Sequence, residues 1–433
     1  MKQQAERVQR RKPIESKEIG IKLQEILKID GKIIVTKVRI GNRDCFTLSV
    51  SPLDIANMIN YLEAIPGYIK NLHSPEMKTD RDFVKITLEG FFKFRLLVQL
   101  YLHGDVQKAA FQIADLIDKF EGAPIAYSEI QYITDLMKDY QWDAQLFMQL
   151  HQAALVDSYV RRIVQAHSIL FMKDHAAEFR PRAALPVAIE NNIPSRHEPL
   201  SFVVEVIAED CLITAQKLGK LGKPVALLNM ANQFYPGGGY AAGAGAQEED
   251  LCRRTDLLKS LPPRYGNEAT GFGEFTVLYS PDITVFRGCL EDGYCIYPKN
   301  ERFKVNIISS AAYNIAKETS KSFKDQASVE YKTGMERKIR NQLCMACDTG
   351  NRNLVLSAFG CGAFGNDPAM VSQFYLNVLS EPEFVNAFDI VQFAIVPNPS
   401  VEENDNFTHF QKTFANQGLS HDELAAKPSA VVK

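Results

Sequence analysis

The sequence predicts an α/β protein. A three-layer domain built on a mixed sheet spans residues 199–400, and an additional mostly helical region fills the N-terminal half. Three observations carry this reading. Over 199–400, short apolar runs alternate with amphipathic stretches, as strands and helices do when they pack in layers. Over 52 to about 180, apolar residues recur at helical intervals and glycine is scarce. Between them lies the proline-rich "FRPRAALPVAIENNIPSRHEP", which reads as a linker.

The elements follow in order. Residues 1–14, with "MKQQAERVQRRKP", read as a disordered basic tail. Residues 15–30 space apolar side chains as a helix does. "GKIIVTKVRIGNRDCFTLSV" reads as two strands turning at Gly41–Asn42. The region 52–198 comprises helices such as "DVQKAAFQIADLIDKF" and "DAQLFMQLHQAALVDSYVRRIVQAHSILFM", followed by the linker. Next come the strand "FVVEVI", the helix "AEDCLITAQKLGKLG" and the buried strand "PVALLNMA". "QEEDLCRRTDLLKSL" is helical, and "FTVLYS", "ITVFRG", "FKVNIISS", "LVLSAF" and "IVQFAIV" are strands. "VEYKTGMERKIRNQLCMACD" and "PAMVSQFYLNVLS" are the helices among them. Residues 401–433 read as a polar, loosely ordered tail.

Composition removes several classes of function. A chain of 433 residues, 46% hydrophobic, can bury a sizeable core. Net charge −3 gives no global positive field, so direct nucleic-acid binding is not expected. No apolar run approaches the ~20 residues that span a bilayer, and no signal-peptide core is visible. Eight scattered cysteines suit reduced thiols in a cytoplasmic setting, whether the producing cell's or that of a cell entered by a secreted effector. Cys344 and Cys347 read as one helix face with no histidine near them, so no metal site is expected.

Two glycine-rich loops each follow a buried strand and precede a helix. The first is "NMANQFYPGGGYAAGAGAQEEDL" (229–251), the second "AFGCGAFGNDPAM" (358–370). Ligands of open α/β sheets bind at the carboxyl ends of strands, where glycines let backbone N–H groups approach a phosphate. Two such loops suit a diphosphate. In the second, Asn366 or Asp367 caps the helix and Pro368 opens it. Neither the P-loop nor the G-x-G-x-x-G pattern is present, so an ordinary kinase or dinucleotide oxidoreductase is not expected.

Gln247, Glu248 and Glu249 open the helix after the first loop. Carboxylates there also serve as dipole partners or capping-box members, and that alternative stays open on the sequence alone. Beside a phosphate-type loop, one carboxyl partly buried next to another has a raised pKa, as a general acid needs. No histidine lies between His197 and His409, so the domain holds no histidine base or histidine-ligated metal of its own. Carboxylate chemistry on a phosphorylated ligand remains, with glycosidic cleavage a natural candidate.

"PGGGYAAGAGAQEE" resembles the poly(ADP-ribose) glycohydrolase signature, three glycines followed after seven residues (Tyr240–Ala246) by Gln-Glu-Glu. "FGCGAFGNDP" resembles that family's second phosphate loop, and "VLYSPDITVFRG" and "VNIISSAAYN" resemble segments of its microbial branch. The resemblance implies a macrodomain-like fold over 199–400. It implies that Glu249 is the acid/base and that Glu248 orients the ribose hydroxyls. Asn232 then binds the ribose under attack, Gly237, Gly238 and Gly239 hold the ribose–phosphate region, and Gln247 is a further ligand-binding residue. Gly360, Gly362 and Ala363 contact the diphosphate, and Phe364 packs near its ribose. Residues 15–51 faintly resemble the start of microbial members, which would make them part of the macrodomain, with 52–198 inserted after them. The expected activity is hydrolysis at the anomeric carbon of ADP-ribose, on poly(ADP-ribose) or on a mono-ADP-ribosylated protein, without metal or redox cofactor. The alternative is a non-catalytic reader or adaptor that binds ADP-ribose and recruits a protein partner through residues 52–198.

Overall fold

The computed structural model describes residues 16–40, 43–65, 77–80, 82–101, 158–188, 199–240, 243–262, 271–316, 326–397 and 405–425, with single positions between 103 and 148. The chain divides into two compact units. The first takes in residues 1–170, 241–243 and 290–295, the second the remainder.

The first unit contains α1 (Ser16–Leu27), β1 (Ile34–Ile40), β2 (Arg43–Val50), α2 (Ile55–Glu63), β3 (Met77–Asp80), β4 (Phe83–Glu89) and α3 (Gly90–Tyr101). Its strands form an antiparallel sheet in the order β1-β2-β4-β3. Alternation decides which face is dry. Phe46, Leu48 and Val50 of β2 and Ile86 and Leu88 of β4 join one core with Ile19 and Leu23 of α1 and Leu96, Leu97 and Leu100 of α3. On the opposite face Thr47 and Thr87 are direct cross-strand partners, with hydroxyls 3.4 Å apart. Two loop tips belong to this unit as well. Arg161 Nε donates to Gly243 O (2.6 Å), and Trp142 Nε1 donates to Gly293 O (3.0 Å).

This unit corrects two expectations. Residues 15–51 build its own sheet rather than the large one. The region 52–198 is not helical throughout: β3 and β4 lie in it, because "FVKITLE" alternates at the strand period and pairs with β2. The expected helix "DVQKAAFQIADLIDKF" apart from Gln107 and Phe111, the turn at Gly41–Asn42 and the tail 1–14 lie outside the described residues, as does most of 104–157.

Helix α4 (Ser158–Asp174) contains the division between units. The second unit continues with β5 (Leu185–Ala188), β6 (Val203–Ile207), α5 (Cys211–Gly219), β7 (Val225–Met230), α6 (Gln247–Arg254), α7 (Leu257–Ser260), β8 (Thr276–Val285) and β9 (Phe303–Ser310). It ends with α8 (Val329–Asp348), β10 (Asn353–Leu356), α9 (Pro368–Leu379), β11 (Ile390–Ala394), α10 (Asn406–Phe414) and α11 (His421–Ala425). The seven-stranded sheet runs β5-β8-β9-β7-β10-β11-β6. β9, β7, β10, β11 and β6 are parallel, and β8 is antiparallel to both its neighbours.

Strand β7 is apolar on both sides because both sides are covered. Ala226 and Leu228 enter the core made with Tyr331, Met335, Ile339 and Leu343 of α8 and Val371, Phe374 and Val378 of α9. Val225 and Leu227 alternate to the other face, and α5 packs against β7. The result is the three-layer, mixed-sheet α/β arrangement read from the sequence.

Three details differ from that reading. "FTVLYS" and "ITVFRG" form one strand, β8, broken only by a bulge between Ser280 and Ile283 where Asp282 takes φ +56°. Leu185–Ala188 of the expected linker is the edge strand β5, where Pro186 costs no central ladder bond. The expected loose tail carries α10. Its Phe410 and Phe414 are buried and lie 5.2 and 4.6 Å from the Phe393 ring of β11. Two apolar anchors in a nine-residue helix are too short a pattern to stand out of a polar stretch. Residues 426–433 lie outside the described residues.

Among the described residues no helix is long and apolar enough to cross a membrane. All eight cysteines are free thiols. Because α10 closes the core, Phe410→Ala is expected to cost about 3–5 kcal/mol of unfolding free energy. Urea denaturation measures this, and a cost below about 1 kcal/mol, the size of an ordinary surface substitution, would place α10 outside the cooperative core.

Candidate active site

Three loops leave the carboxyl ends of the adjacent parallel strands β9, β7 and β10. The loop after β7 turns back at Pro236–Gly239 and feeds α6. Asn232 shapes its first half: its Oδ1 accepts from Phe234 N (2.8 Å) and Tyr235 N (3.1 Å). Gly238 N then donates to Tyr235 O (2.9 Å).

Both glutamates are buried, Glu248 at 3% and Glu249 at 7% exposure. Neither acts as a capping-box member. Glu248 accepts from Asn232 N (2.7 Å) and Gly237 N (3.1 Å), and Glu249 Oε1 accepts from Gly239 N (2.7 Å). These donors lie ten to sixteen residues upstream, in the loop rather than in the helix's own first turn. Glu249 Oε2 is buried without a hydrogen-bond partner.

Gly238 shows why a side chain is absent there. It has φ +58°, and a Cβ would lie 2.5 Å from Glu249 Oε1 and 2.9 Å from Glu248 Oε2. The main chain therefore runs directly against both carboxylates. Burial pushes the Glu248 carboxyl up to about 8. The bond from Asn232 N opposes that rise, and the neighbouring Glu249 charge adds to it.

The sequence reading placed Gln247 on the ligand; in the structure its side chain bonds the end of β7. Gln247 Oε1 accepts from Met230 N (2.9 Å) and its Nε2 donates to Leu228 O (2.6 Å). The side-chain amide is thus spent on the end of β7, pinning the start of α6 beside it. Sequence reasoning also missed Asn229, Arg254 and Asp210. Asn229 is fully buried, donates to Ser309 Oγ (3.0 Å) and lies 3.5 Å from Glu248 Oε1. The signal for it was one amide within the apolar run "ALLNMA". Buried Arg254 binds Asp210 through Nη1 (2.7 Å) and Nη2 (2.9 Å) and also Asp250 (2.7 Å). Asp210 at the same time caps α5 through Leu212 N and Ile213 N.

The loop after β10 is held by Asn366. Its Nδ2 donates to Tyr313 O and Gly360 O (2.8 Å each), and its Oδ1 accepts from Tyr331 OH (2.7 Å). Gly360 (φ +76°) has no room for a side chain, since a Cβ would meet Ala312 and Asn366. Gly362 and Ala363 are exposed, and a Cβ on Gly362 would meet open space. Phe364 is half-buried against the main core, and its carbonyl accepts from Ile315 N (3.0 Å) and Ala316 N (3.2 Å). Asp367, not Asn366, caps α9, by accepting from Ala369 N (2.9 Å), with Pro368 at the first helical position.

A mixed α/β sheet with a buried carboxylate pair at its strand ends sets acid–base groups where open α/β sheets take their ligands. Sequence comparison narrows that chemistry. A family model for the microbial-type PARG catalytic domain matches residues 149–288, reaching back well before the expected boundary at 199. A point variant of poly(ADP-ribose) glycohydrolase from Deinococcus radiodurans, solved with ADP-ribose, is 31% identical, over 50% of this chain and 86% of its own, with a TM-score of 0.43. The enzyme from Thermomonospora curvata is 23% identical, over 59% of this chain and 99% of its own, with a TM-score of 0.47. No curated protein matches. The chain belongs to the microbial-type poly(ADP-ribose) glycohydrolase family. With TM-scores below one half, the superpositions add nothing to that assignment, which rests on the sequence match.

Two outcomes follow from the site. Gly238→Ala places a methyl group against both carboxylates at a positive φ, so the loop must shift. The variant's melting temperature, followed by circular dichroism, is expected to lie below that of the wild type.

The second concerns pH. The folded-state pKa of Glu248, about 8, exceeds the ordinary 4.5, so between those values the folded state holds a proton that the unfolded state has lost. Stability contributed at this position is present below pH 4.5 and lost as pH rises toward 8. Glu248→Gln removes the titration, so its melting temperature relative to wild type is expected to be higher at pH 8 than at pH 5. Equal differences at both pH values would refute the assignment.

Proposed function

We propose that the chain is an ADP-ribose glycohydrolase that cleaves the glycosidic bond at the anomeric carbon, on poly(ADP-ribose) or on mono-ADP-ribosylated protein, and that its 199–400 segment is a macrodomain. One observation carries the reading. Two buried carboxylates are fixed by backbone N–H groups on either side of a glycine, and one carboxylate oxygen, Glu249 Oε2, has no partner. A reader of ADP-ribose has no need to bury two adjacent acids in this way.

Glu248 has its oxygens tied to the loop and orients the ribose hydroxyls. Glu249 gives its proton to the departing oxygen as the bond to the anomeric carbon breaks. The positive charge on the ribose is stabilised by the diphosphate, which binds along Gly237–Gly239 and Gly360–Ala363. Glu249, now ionised, takes a proton from the water that attacks the ribose, and is thereby restored. Asn232 contacts that ribose with its side-chain nitrogen, which the local turn does not use. Phe364 packs against its ring. No metal or redox step enters this sequence.

The test is a pair of isosteric changes. Glu249→Gln keeps the shape and loses the acid, so single-turnover rates are expected to fall ~10²–10⁴-fold while ADP-ribose still binds. Glu248→Gln is expected to lose less rate and to change affinity more. Were both residues only helix-dipole partners, each change would cost about 0.3–1 kcal/mol of stability and leave turnover intact. An active Glu249→Gln variant would refute the mechanism.

A further inference from the structure

The two glycine loops are joined by side chains that the mechanism does not use. The segment Gly271–Thr276 meets the first loop by main-chain contact. Gly271 has φ +57° and lies so close to Gln233 O that a Cβ there would collide with it, and Phe272 N donates to the same oxygen (3.1 Å). Gln233 is the immediate neighbour of Asn232, whose N–H holds Glu248.

The same segment is held by Lys338 and Asn341 of α8, which share one face of that helix with Tyr331 and Gly334. These positions are spaced three, four and three apart, so they lie along a single helical stripe. Asn341 Nδ2 donates to Phe275 O (2.8 Å) and Lys338 Nζ donates to Glu274 O. The Lys338 ammonium lies 4.6 Å from the Tyr313 ring centre and 5.4 Å from that of Phe275. Tyr313 OH in turn donates to Glu274 Oε1 (2.6 Å) and fits over Gly334, where any side chain would strike it. Tyr313 O and Tyr331 OH both bind Asn366, which fixes the second loop.

We propose that Lys338 is a positioning residue that holds the two glycine loops in one register, through Glu274 and Gly271 to the first loop and through Tyr313 and Asn366 to the second. The proposal rests on the glycohydrolase reading for its purpose but not for its geometry. Lys338 is 1% exposed. Burial pushes its ammonium down to about 8, against the pull of the Glu274 carboxylate. A buried cation is costly unless its surroundings compensate it, and here they are the carbonyl, carboxylate and two rings that belong to the loop supports. Apolar packing alone would fill this space without joining the two loops.

Hydrogen exchange on the ligand-free protein tests the register directly. Lys338→Met is compared with Arg340→Met, which breaks the buried ion pair with Glu381 elsewhere on α8. Both changes remove a buried cation from the same helix, so a general loss of stability affects both. In Lys338→Met, amides of 231–240 and of 358–366 are expected to exchange roughly tenfold faster relative to the rest of the second unit. In Arg340→Met those loops are expected to keep their relative protection. Tyr313→Phe, which removes only one hydroxyl, is expected to reproduce the Lys338→Met pattern, and it replaces that variant if Lys338→Met does not fold. Lys338→Met is further expected to raise the Kd for ADP-ribose and the KM for poly(ADP-ribose) more than it lowers kcat. Loop protection unchanged in Lys338→Met and Tyr313→Phe, or lost equally in Arg340→Met, would overturn the proposal. A wild-type protein that fails to bind ADP-ribose would overturn the glycohydrolase reading and leave the exchange result standing.

Discussion

Everything at the candidate site depends on backbone N–H groups turned toward two buried carboxylates. Burying two acids side by side is unfavourable: each loses hydration, and each raises the cost of ionising the other. The loop after β7 compensates by directing the amides of Asn232, Gly237 and Gly239 at them. That arrangement explains the composition of the loop. Its chain must approach the carboxylates more closely than a Cβ permits, and it must do so at a positive φ, so glycine is required at 238. The glutamates and the glycines are one structure, and neither is intelligible without the other.

Support for this arrangement comes from the layers on either side. Arg254 reaches from the end of α6 to the cap of α5 and fixes both helices through one guanidinium. Gln247 ties the start of α6 to β7. The helix carrying the acids is therefore held at both ends, and it does not rely on a side-chain cap at Ala246, which offers none. A short helix of eight residues gains little from its own hydrogen bonds, so such anchors set its position.

Much of this was legible in the sequence, for identifiable reasons. β7 was readable because a strand covered on both faces must be continuously apolar, and the Gly-rich loops because close backbone approach leaves no alternative residue. The pairing of Glu248 and Glu249 was readable as a spacing, but their partners were not. Which N–H each one accepts from depends on how the intervening residues, sixteen positions back to Asn232, fold over the helix. The bonds of Gln247 to β7 were not readable, because an amide beside a ligand loop and an amide on a strand end look the same in one dimension. The N-terminal half misled because β4 has only three inward-facing residues, Val84, Ile86 and Leu88, set among longer helical patterns. α10 was hidden for the same reason, and Lys338 because a lysine in a helix is ordinarily solvated.

The far edge of the large sheet has an implication for biosynthesis. β6 has only β11 beside it within the named strands, and its other side is met by the stretch around Gly418 and Leu419. Leu419 N donates to Phe202 O (2.9 Å), and Gly418 at φ +75° lies against the same oxygen. The first long strand of this unit to be synthesised thus receives its covering partner some two hundred residues later, and β11 itself comes only shortly before. While translation proceeds, β6 presents bare main-chain groups that a neighbouring nascent chain can pair with. Completion of this edge of the sheet is therefore tied to the late part of translation.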